Sequence, residues 1–271
     1  MSKEQKIKVG LIGAGGRMGK AITQVLAHSH DSVLSGAVER ADSILLGMDS
    51  GVNSSLKENH ILYTSDMEVV IKNSDVLIDF SSHTSTIETL ELCSKHSKPI
   101  VIGSTGHSEK EIHNIESYSK TLPIVFSPNM SVGVNLMFKL IEIAGKVLEE
   151  HFDVEILDIH HRHKKDAPSG TAMALKKTLL KAMGRNESDV IYGRHGNHYQ
   201  ERDQKQIAVH TMRAGEVVGE HTVYFFSPEE RIEIKHTAND RKTFAVGAVK
   251  AAEYIVKQKH GLYDMFDVLG I

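Results

Sequence analysis

The segment HHRHKKDAPSGTA, which runs from His160 to Ala172, places six consecutive side chains that can carry positive charge before an Asp-Ala-Pro-Ser-Gly sequence. The formal net charge of the whole chain is -3, so no overall basic surface points to nucleic acid or a membrane as partner. Positive charge confined to one segment therefore indicates a local binding site.

Three other interpretations of this segment compete. A charged run is most often a solvated loop, and composition by itself favours that interpretation. Dense histidines also suggest a metal, but no cysteine lies nearby and no H-E-x-x-H pattern is present, so the sequence predicts no metal site. A nucleic-acid surface would need more basic residues, with aromatic residues between them.

The alternation of a strand favours a substrate site instead. If DVEILDIHHRHK (153–164) continues as one strand, successive side chains point to opposite faces. Asp158, His160 and Lys164 then share one face, and His161 lies on the other.

A helix is predicted directly after this strand. Pro168 fixes the entry to the helix, and Ser169 or Thr171 caps it. Cationic side chains aimed at the N–H groups of a helix N-terminus form a receptor for one or two carboxylates of a small molecule.

A second group of residues with chemical potential lies near the N-terminus, in the sequence GAGGRMG. Its glycines follow an apolar run and precede a helical pattern, which is the context of a dinucleotide-binding turn, although Met18 breaks the strict G-x-G-x-x-G spacing. Glu39, at the end of the next apolar run, can accept a hydrogen bond from a ribose 2′-hydroxyl, and Arg40 can pair with a 2′-phosphate. A tight structural turn and a solvated strand end would also explain these residues, but together they favour a nicotinamide dinucleotide.

The elements that must position these residues alternate along the first half of the chain. The pattern predicts strands at 7–15, 32–40, 74–80, 98–106 and 122–129, and helices at 17–29 and 84–96. Such alternation is typical of a parallel sheet with helices on both faces. After about residue 130, a long helix (134–150) precedes strands with antiparallel turn signals, which indicates a second domain, and a last helix (241–258) is placed to pack on the first.

Length and composition agree with two domains of moderate size. The chain has 271 residues with 40% hydrophobic content, and its single cysteine, Cys93, excludes an internal disulfide and fits a small buried role in a reducing compartment. No leader pattern and no run of about 18 apolar residues occurs, so a cytoplasmic protein is expected.

The segment EILDIHHRHKKDAPSGTA (155–172) resembles the signature of the dihydrodipicolinate reductase family, Glu-[Ile/Val]-x-Glu-x-His-x-x-x-Lys-x-Asp-x-Pro-Ser-Gly-Thr-Ala. The segments GAGGRMG, AVER, VIGSTG, NMSVGVN, MRAGEVVGEHTV and GLYDMFDVL also fall where that family has them, so the resemblance covers nearly the whole chain. Three positions depart from the pattern. Asp158 replaces glutamate, Ser104 replaces threonine, and DFSSHTST (79–86) stands where the family has Asp-Phe-Thr-x-Pro.

The resemblance implies an α/β fold with a Rossmann-like domain (1–130, completed by 241–271) and an inserted α+β domain (131–240) whose sheet is mostly antiparallel or mixed. The inserted domain would bind substrate and build a homotetramer. The implied activity is the reduction of 4-hydroxy-tetrahydrodipicolinate, a cyclic dicarboxylate of diaminopimelate and lysine biosynthesis, with NADH or NADPH as cofactor and with neither nucleic acid nor membrane as partner.

Site residues follow from the same resemblance. The residues implied to bind the cofactor are Gly13, Ala14, Gly15, Gly16, Arg17, Met18, Glu39, Arg40, Gly103, Ser104, Thr105, Ser127, Pro128, Asn129 and Met130. The residues implied to bind the substrate are His161, Ser169, Gly170 and Thr171, with Thr105 reaching it from the first domain. Hydride transfer to an unsaturated ring needs a proton donor, and His160 and Lys164 are the catalytic candidates.

Two other functions stay open at this point. One is another two-domain NAD(P)-dependent dehydrogenase of aspartate-derived metabolites, although an aldehyde-oxidising member would need a nucleophilic cysteine, and Cys93 has no motif around it. The other is a non-catalytic regulator that senses NAD(P), which would be expected to have lost the pair His160 and Lys164.

Overall fold

A computed structural model of the chain describes residues 5–194, 196 and 201–271. Within this part the chain forms two compact units, of which one runs to Val132 and resumes at Arg241–Ile271, and the other is Gly133–Asp240. Among the described residues, none of the helices is both long and apolar enough to cross a membrane.

The strands are, in chain order, β1 (Ile7–Ile12), β2 (Ser32–Val38), β3 (Tyr63–Thr64), β4 (Val76–Asp79), β5 (Ile100–Ile102), β6 (Pro123–Phe126), β7 (Asp153–His160), β8 (Val190–Tyr192), β9 (Ile207–Arg213), β10 (Gly219–Phe226), β11 (Arg231–Ala238) and β12 (Gly261–Tyr263). The helices are α1 (Arg17–Leu26), α2 (Ser50–Asn53), α3 (Met67–Asn73), α4 (His83–Lys95), α5 (Glu109–Tyr118), α6 (Val132–Val147), α7 (Gly170–Ala182), α8 (Lys242–Ile255) and α9 (Met265–Leu269).

The first unit is built on a seven-stranded sheet in the order β12-β6-β5-β4-β1-β2-β3, in which every pair of neighbours is parallel. Its central strands read as continuous apolar runs because helices cover both faces. Leu11 packs with α1 and α8 on one face, whereas Leu77 and Ile100 pack with α3, α4 and α5 on the other. This arrangement confirms the predicted parallel sheet covered on both sides.

Helix termini in the first unit follow from local sequence. Ser108 and Glu111 form the capping box that starts α5. Cys93 is completely buried in α4, where burial raises the pKa of its thiol, as expected for a packing role rather than a nucleophile.

The second unit contains a five-stranded sheet in the order β11-β10-β7-β9-β8. β10 pairs antiparallel with both β7 and β11, while β9 pairs parallel with both β7 and β8, so the sheet is mixed. Val154 and Ile156 of β7 are buried in a core that they share with α6 and α7. Leu157 and Ile159 alternate with them on the opposite, more open face.

The prediction of one strand over 153–164 is wrong beyond His160. β7 and β9 end opposite each other, at His160 and Arg213, and the backbone N–H of Arg162 still donates to the carbonyl of Gly215 at 3.1 Å. The chain then turns, and the backbone N–H of Lys164 donates to the carbonyl of His161 at 3.1 Å. His160 and Lys164 therefore do not share a strand face.

A close contact between α8 and the loop after β6 in the first unit gives a stability prediction. A Cβ built on Gly247 of α8 would lie 1.7 Å from the carbonyl oxygen of Met130. Alanine favours a helix over glycine by about 1 kcal/mol, but overpacking against a backbone atom typically costs about 1–3 kcal/mol or more. We expect Gly247→Ala to lower the urea midpoint, because a carbonyl group cannot rotate away as a side chain can.

The matched control is Val246→Ala, one residue earlier in the same helix, where the side chain is half exposed. Its urea midpoint should correspond to a free energy of unfolding within about 0.5 kcal/mol of that of the parent protein. A urea midpoint for Gly247→Ala above that of the parent protein would show that the gain in helix propensity outweighs the clash with the carbonyl of Met130.

Candidate active site

The glycine turn after β1 and the acid after β2 meet directly. The backbone N–H of Gly15 donates to Oε1 of Glu39 at 2.7 Å. Gly13 has a φ of +75°, and a Cβ there would lie 2.9 Å from the carbonyl oxygen of Phe80. The turn therefore needs glycine for both its conformation and its close approach to the chain after β4.

The N-terminus of α1 has the features that a pyrophosphate requires. Gly16 is the N-cap residue, no side chain caps the helix, and its first turn contains no acidic residue. The helix starts at the carboxyl edge of the sheet beside β1, where β2 continues the sheet in one direction and β4 in the other. Ligands of open α/β sheets bind at such a switch point, and helix N–H groups favour anions. These residues fit a dinucleotide.

Arg40 is largely solvent-exposed, with its Nε atom 3.5 Å from Oδ1 of Asp42. Asp42 did not figure in the sequence prediction, although it lies two residues away. A 2′-phosphate would have to compete with this carboxylate for the guanidinium group.

The loops after β5 and β6 contain the residues predicted to lie near the nicotinamide. Thr105 is exposed, whereas Ser104 is buried with its hydroxyl 2.9 Å from that of Thr86. Gly103 lies against the ring of Phe80, because a Cβ at this position would come within 2.2 Å of the ring. Thr105 therefore offers an accessible hydroxyl, and its two neighbours shape the loop.

The second of these loops is similarly organised. The hydroxyl of Ser127 donates to the carbonyl of Asn129 at 3.0 Å, and Met130 is buried in the first unit's core. Pro128 is exposed and Asn129 partly so.

In the second unit, the carboxylate of Asp158 lies at the centre of a buried polar cluster. Its Oδ2 accepts from the backbone N–H of Ser169 at 2.9 Å and from Nη2 of Arg213 at 3.0 Å. Its Oδ1 accepts from the Ser169 hydroxyl at 2.8 Å and lies 3.0 Å from Nδ1 of His160 and 3.2 Å from Nε2 of His221. Burial by itself would raise the pKa of Asp158, but contacts with His160, His221 and Ser169 hold it well below its usual range.

The ring of His160 is enclosed on three sides. Nδ1 is close to Asp158 but off the axis of a straight hydrogen bond. The ring of His221 packs edge-on with centroids 5.2 Å apart, and a Cβ on Gly219 would lie 3.0 Å from Nε2. The side chain keeps 11% of its surface exposed.

Arg213 connects this cluster to the turn that contains the predicted lysine. Its Nη2 also donates to the carbonyl of Asp166 at 2.7 Å. The side chain of Asp166 in turn lies 2.9 Å from Nζ of Lys164, and this contact is the main cause that lowers the pKa of Asp166. Lys164 is thus positioned near the cluster by the turn rather than by the strand.

The N-terminus of α7 lies beside the same carboxylate. Ser169 is its N-cap, with the hydroxyl accepting from the N–H of Ala172 at 3.1 Å. The polar atoms of Ser169 are occupied inside the protein, although it was predicted to bind substrate. Gly170 is exposed, with no atom within 4 Å of a built Cβ, so the first turn of the helix is open to a ligand there.

His161, also predicted to bind substrate, lies at the end of β7 with its ring 6.1 Å from that of His163. Its Nδ1 is buried and lacks a hydrogen-bond partner among the described residues. Such an atom is available to a ligand that supplies one.

Sequence reasoning missed Arg213, Gly219 and His221 as site residues, although all three lie in the segment MRAGEVVGEHTV. The signal that could have found them is the pairing of β10 with β7, which sets His221 directly opposite Asp158. Donor atoms of Asp158, His160 and His221 lie within 4.8 Å of one another, a spacing that a metal could bridge. Arg213 already neutralises the carboxylate, so hydrogen bonding accounts for the cluster.

Two family models cover nearly the whole chain. The model described as dihydrodipicolinate reductase, N-terminus, matches residues 7–130, and the model described as dihydrodipicolinate reductase, C-terminus, matches residues 133–269. The 4-hydroxy-tetrahydrodipicolinate reductase of Hahella chejuensis is 45% identical over 97% of this chain and 99% of its own. That of Syntrophus aciditrophicus is 44% identical over 97% of this chain and 98% of its own.

Solved structures share the fold. A dihydrodipicolinate reductase of Paenisporosarcina sp. TG-14 with dipicolinate bound superposes with a TM-score of 0.78 at 21% identity, covering 97% of this chain and 99% of its own. A probable dehydrogenase of Thermotoga maritima gives a TM-score of 0.63 at 12% identity, with 97% and 92% of the two chains covered.

The contact between Glu39 and Gly15 sharpens an expectation about cofactor choice. Glu39 should favour NADH because it repels a 2′-phosphate, whereas Arg40 should favour NADPH. Each effect on the binding free energy is about 1.5–3 kcal/mol at most, which corresponds to roughly ten- to a hundredfold in affinity. Because the two oppose each other at an exposed site, kcat/KM for the two cofactors should agree within about tenfold. Glu39→Gln, which keeps an acceptor for Gly15, should shift the ratio toward NADPH, and Arg40→Ala should shift it toward NADH.

Two further variants serve as controls. Glu39→Ala removes the acceptor as well as the charge, so it should also raise KM for both cofactors. Asp42→Asn removes the competitor of a 2′-phosphate and should improve NADPH use, most clearly at low salt. Unchanged NADPH use in Arg40→Ala at low salt would mean that the 2′-phosphate is held elsewhere.

Proposed function

The chain belongs to the dihydrodipicolinate reductase family, and we propose how its own residues carry out the reaction of that family. It is an NAD(P)H-dependent oxidoreductase that reduces 4-hydroxy-tetrahydrodipicolinate to tetrahydrodipicolinate in diaminopimelate and lysine biosynthesis. The observation that carries this assignment is the pair of family matches, which together leave few residues of the chain unmatched.

The first unit binds the dinucleotide in this proposal. Gly13–Met18 hold the pyrophosphate, Glu39 and Arg40 hold the adenosine ribose, and the loops 103–105 and 127–130 line the nicotinamide. The open N-terminus of α1 and the contact between Gly15 and Glu39 support these roles. When bound, the reduced nicotinamide supplies the hydride.

The inserted unit, 131–240 in the prediction, binds the substrate, a cyclic dicarboxylate. His161, Gly170 and Thr171 hold its carboxylates, and Thr105 stays a prediction as a contact from the first unit. The exposed start of α7 and the buried Nδ1 of His161 support a receptor for an anion. Ser169 acts as the cap that orients this helix start.

His160 and Lys164 supply the proton in this proposal. The C4 hydroxyl group of the substrate leaves as water, and addition of a hydride to the resulting conjugated ring pushes an electron pair onto the ring nitrogen, which must then take up a proton. An imidazole is suited to donate near neutral pH, and the ammonium group of Lys164 stabilises negative charge as it develops. The carboxylate of Asp166, 2.9 Å from Nζ of Lys164, holds that ammonium group in place.

We also propose a cytoplasmic homotetramer that assembles through the open face of the second sheet. Leu157 and Ile159 lie on this face, Met212 beside them is half exposed, and the rings of Tyr224 and Phe226 stack with centroids 5.6 Å apart. A sheet face with this much apolar surface suits burial against another copy.

No observation favours the two rival functions. Cys93 is buried in the core, so it does not offer the nucleophile that an aldehyde-oxidising dehydrogenase needs. The predicted catalytic pair, whose loss would mark a regulator, is present. His160 lies beside Asp158, and Lys164 pairs with Asp166.

The proton-donor roles predict specific kinetic losses. His160→Gln and Lys164→Ala should each lower kcat by about two decades or more, because general acids typically contribute about 10²–10⁴-fold. His161→Gln should act mainly on KM. The measurement is NADH oxidation, followed by absorbance, with freshly made substrate.

Exposed neighbours in the same turn provide matched controls. His163→Gln and Lys165→Ala make the same chemical changes at exposed positions and should leave kcat near the parent value. A kcat for His160→Gln within about threefold of the parent would remove His160 from the proton-donor role.

The carboxylate receptor predicts selective inhibition. Pyridine-2,6-dicarboxylate, the molecule bound in the Paenisporosarcina enzyme, should compete with substrate. Pyridine-2-carboxylate should bind more weakly by about 1.5–3 kcal/mol, the usual contribution of a hydrogen bond to a charged group. Equal inhibition constants for the two compounds would contradict a receptor for two carboxylates.

A further inference from the structure

We propose that Asp158 is the positioning residue of the proton donor, because its carboxylate fixes the ring of His160. His221 and Gly219 enclose the ring from the other sides. The proton on Nε2 of His160 is then the one transferred. This inference rests on the proposed role of His160 as donor. Neither the family signature nor the sequence analysis assigns such a role to these three residues.

Asp158 acts as an acceptor toward His160. It is completely buried, and hydrogen bonds from the N–H and hydroxyl of Ser169 and from Arg213 occupy both of its oxygens. An ionised carboxylate donates nothing, so any group that approaches it must bring a hydrogen. The nitrogen of His160 that lies 3.0 Å from Oδ1 is therefore the protonated Nδ1.

Because Nδ1 faces a carboxylate that can only accept, Nε2 is the nitrogen that exchanges its proton with a ligand. A carboxylate behind a histidine fixes the tautomer and the ring orientation in the same way in serine hydrolases. The contact between His160 and Asp158 is close but not collinear here, and such contacts commonly tighten when substrate binds.

His221 and Gly219 control the orientation of the ring. His221 packs edge-on against His160 at 5.2 Å, and its Nε2 is within 3.2 Å of both Asp158 and the Ser169 hydroxyl. On the far side, Gly219 leaves room for Nε2, since a Cβ there would lie 3.0 Å from that atom. A side chain at 219 would have to displace the donor atom by a few tenths of an ångström.

A purely structural role for Asp158 is the competing explanation, because the same carboxylate also joins Ser169 and Arg213. The two explanations differ in their prediction for a double variant. A residue that acts through His160 loses its effect when His160 is already gone, whereas independent structural damage adds to the loss.

The test is a double-mutant cycle of Asp158→Asn and His160→Gln, with kcat measured in NADH oxidation and folding measured by urea midpoint. Asp158→Asn should lower kcat by about tenfold or more, since small misplacements of catalytic groups are costly. The double variant should have the kcat of His160→Gln. Asp158→Glu should recover most of the activity, because the family signature has glutamate at this position.

Gly219→Ala tests the proposed enclosure of the His160 ring without touching the carboxylate, and it can be measured even if Asp158→Asn does not fold. Its kcat should fall by about tenfold while the inhibition constant of pyridine-2,6-dicarboxylate stays within about threefold of the parent. Glu187→Gln is the matched control for Asp158→Asn, because it also replaces a carboxylate by an amide. The carboxylate of Glu187 pairs with the buried Lys176 elsewhere in the same unit. Glu187→Gln should leave kcat unchanged.

Each outcome separates the two proposals. If His160→Gln keeps the parent kcat, the proposed proton donor is wrong. If His160→Gln loses activity but the losses of the two single variants multiply in the double variant, His160 stands as donor and the positioning role of Asp158 is overturned. If Gly219→Ala retains full kcat, the proposed enclosure of the His160 ring is overturned.

Discussion

The burial of one carboxylate constrains the whole of the second unit. Removing an ionised aspartate from water costs several kcal/mol unless charge and hydrogen bonds replace the lost hydration. Asp158 meets this requirement with Arg213 as counter-charge and Ser169 as double donor. These partners come from β9 and from the start of α7, so satisfying the carboxylate fixes both elements relative to β7. The position of each proposed site residue in this unit follows from that requirement.

The first unit is suited to bind an anion by backbone N–H groups instead of buried charged side chains. A dinucleotide carries its charge on a pyrophosphate that backbone N–H groups can bind, so the site depends on the absence of side chains rather than on buried charge. Gly13 and Gly103 allow the backbone and the ring of Phe80 to approach closely, and Glu39 ties the turn to the end of β2. The proposed cofactor site is therefore shaped by packing, and the proposed substrate site by electrostatics.

Local sequence was sufficient to predict the features that depend on neighbouring residues. The parallel sheet and the glycine turn followed by an acid both have short-range signals, and the structure contains each of them. The end of β7 could not be predicted in this way, because it lies opposite the end of β9, more than fifty residues later. For the same reason Arg213 and His221 were missed, since strand register brings them to Asp158.

The closeness of Asp158 and His160, by comparison, follows from the two-residue period of a strand. Residues two apart on a strand share a face, so a carboxylate and an imidazole at these positions are neighbours in any register. What register adds is His221, placed opposite Asp158 by β10, and the gap at Gly219 where that strand begins. His221, which packs against the proposed donor, and Ser169, the cap of α7, both contact the same carboxylate. The helix start proposed to bind the substrate's carboxylate is held by the same aspartate, because the N–H of Ser169 donates to Asp158.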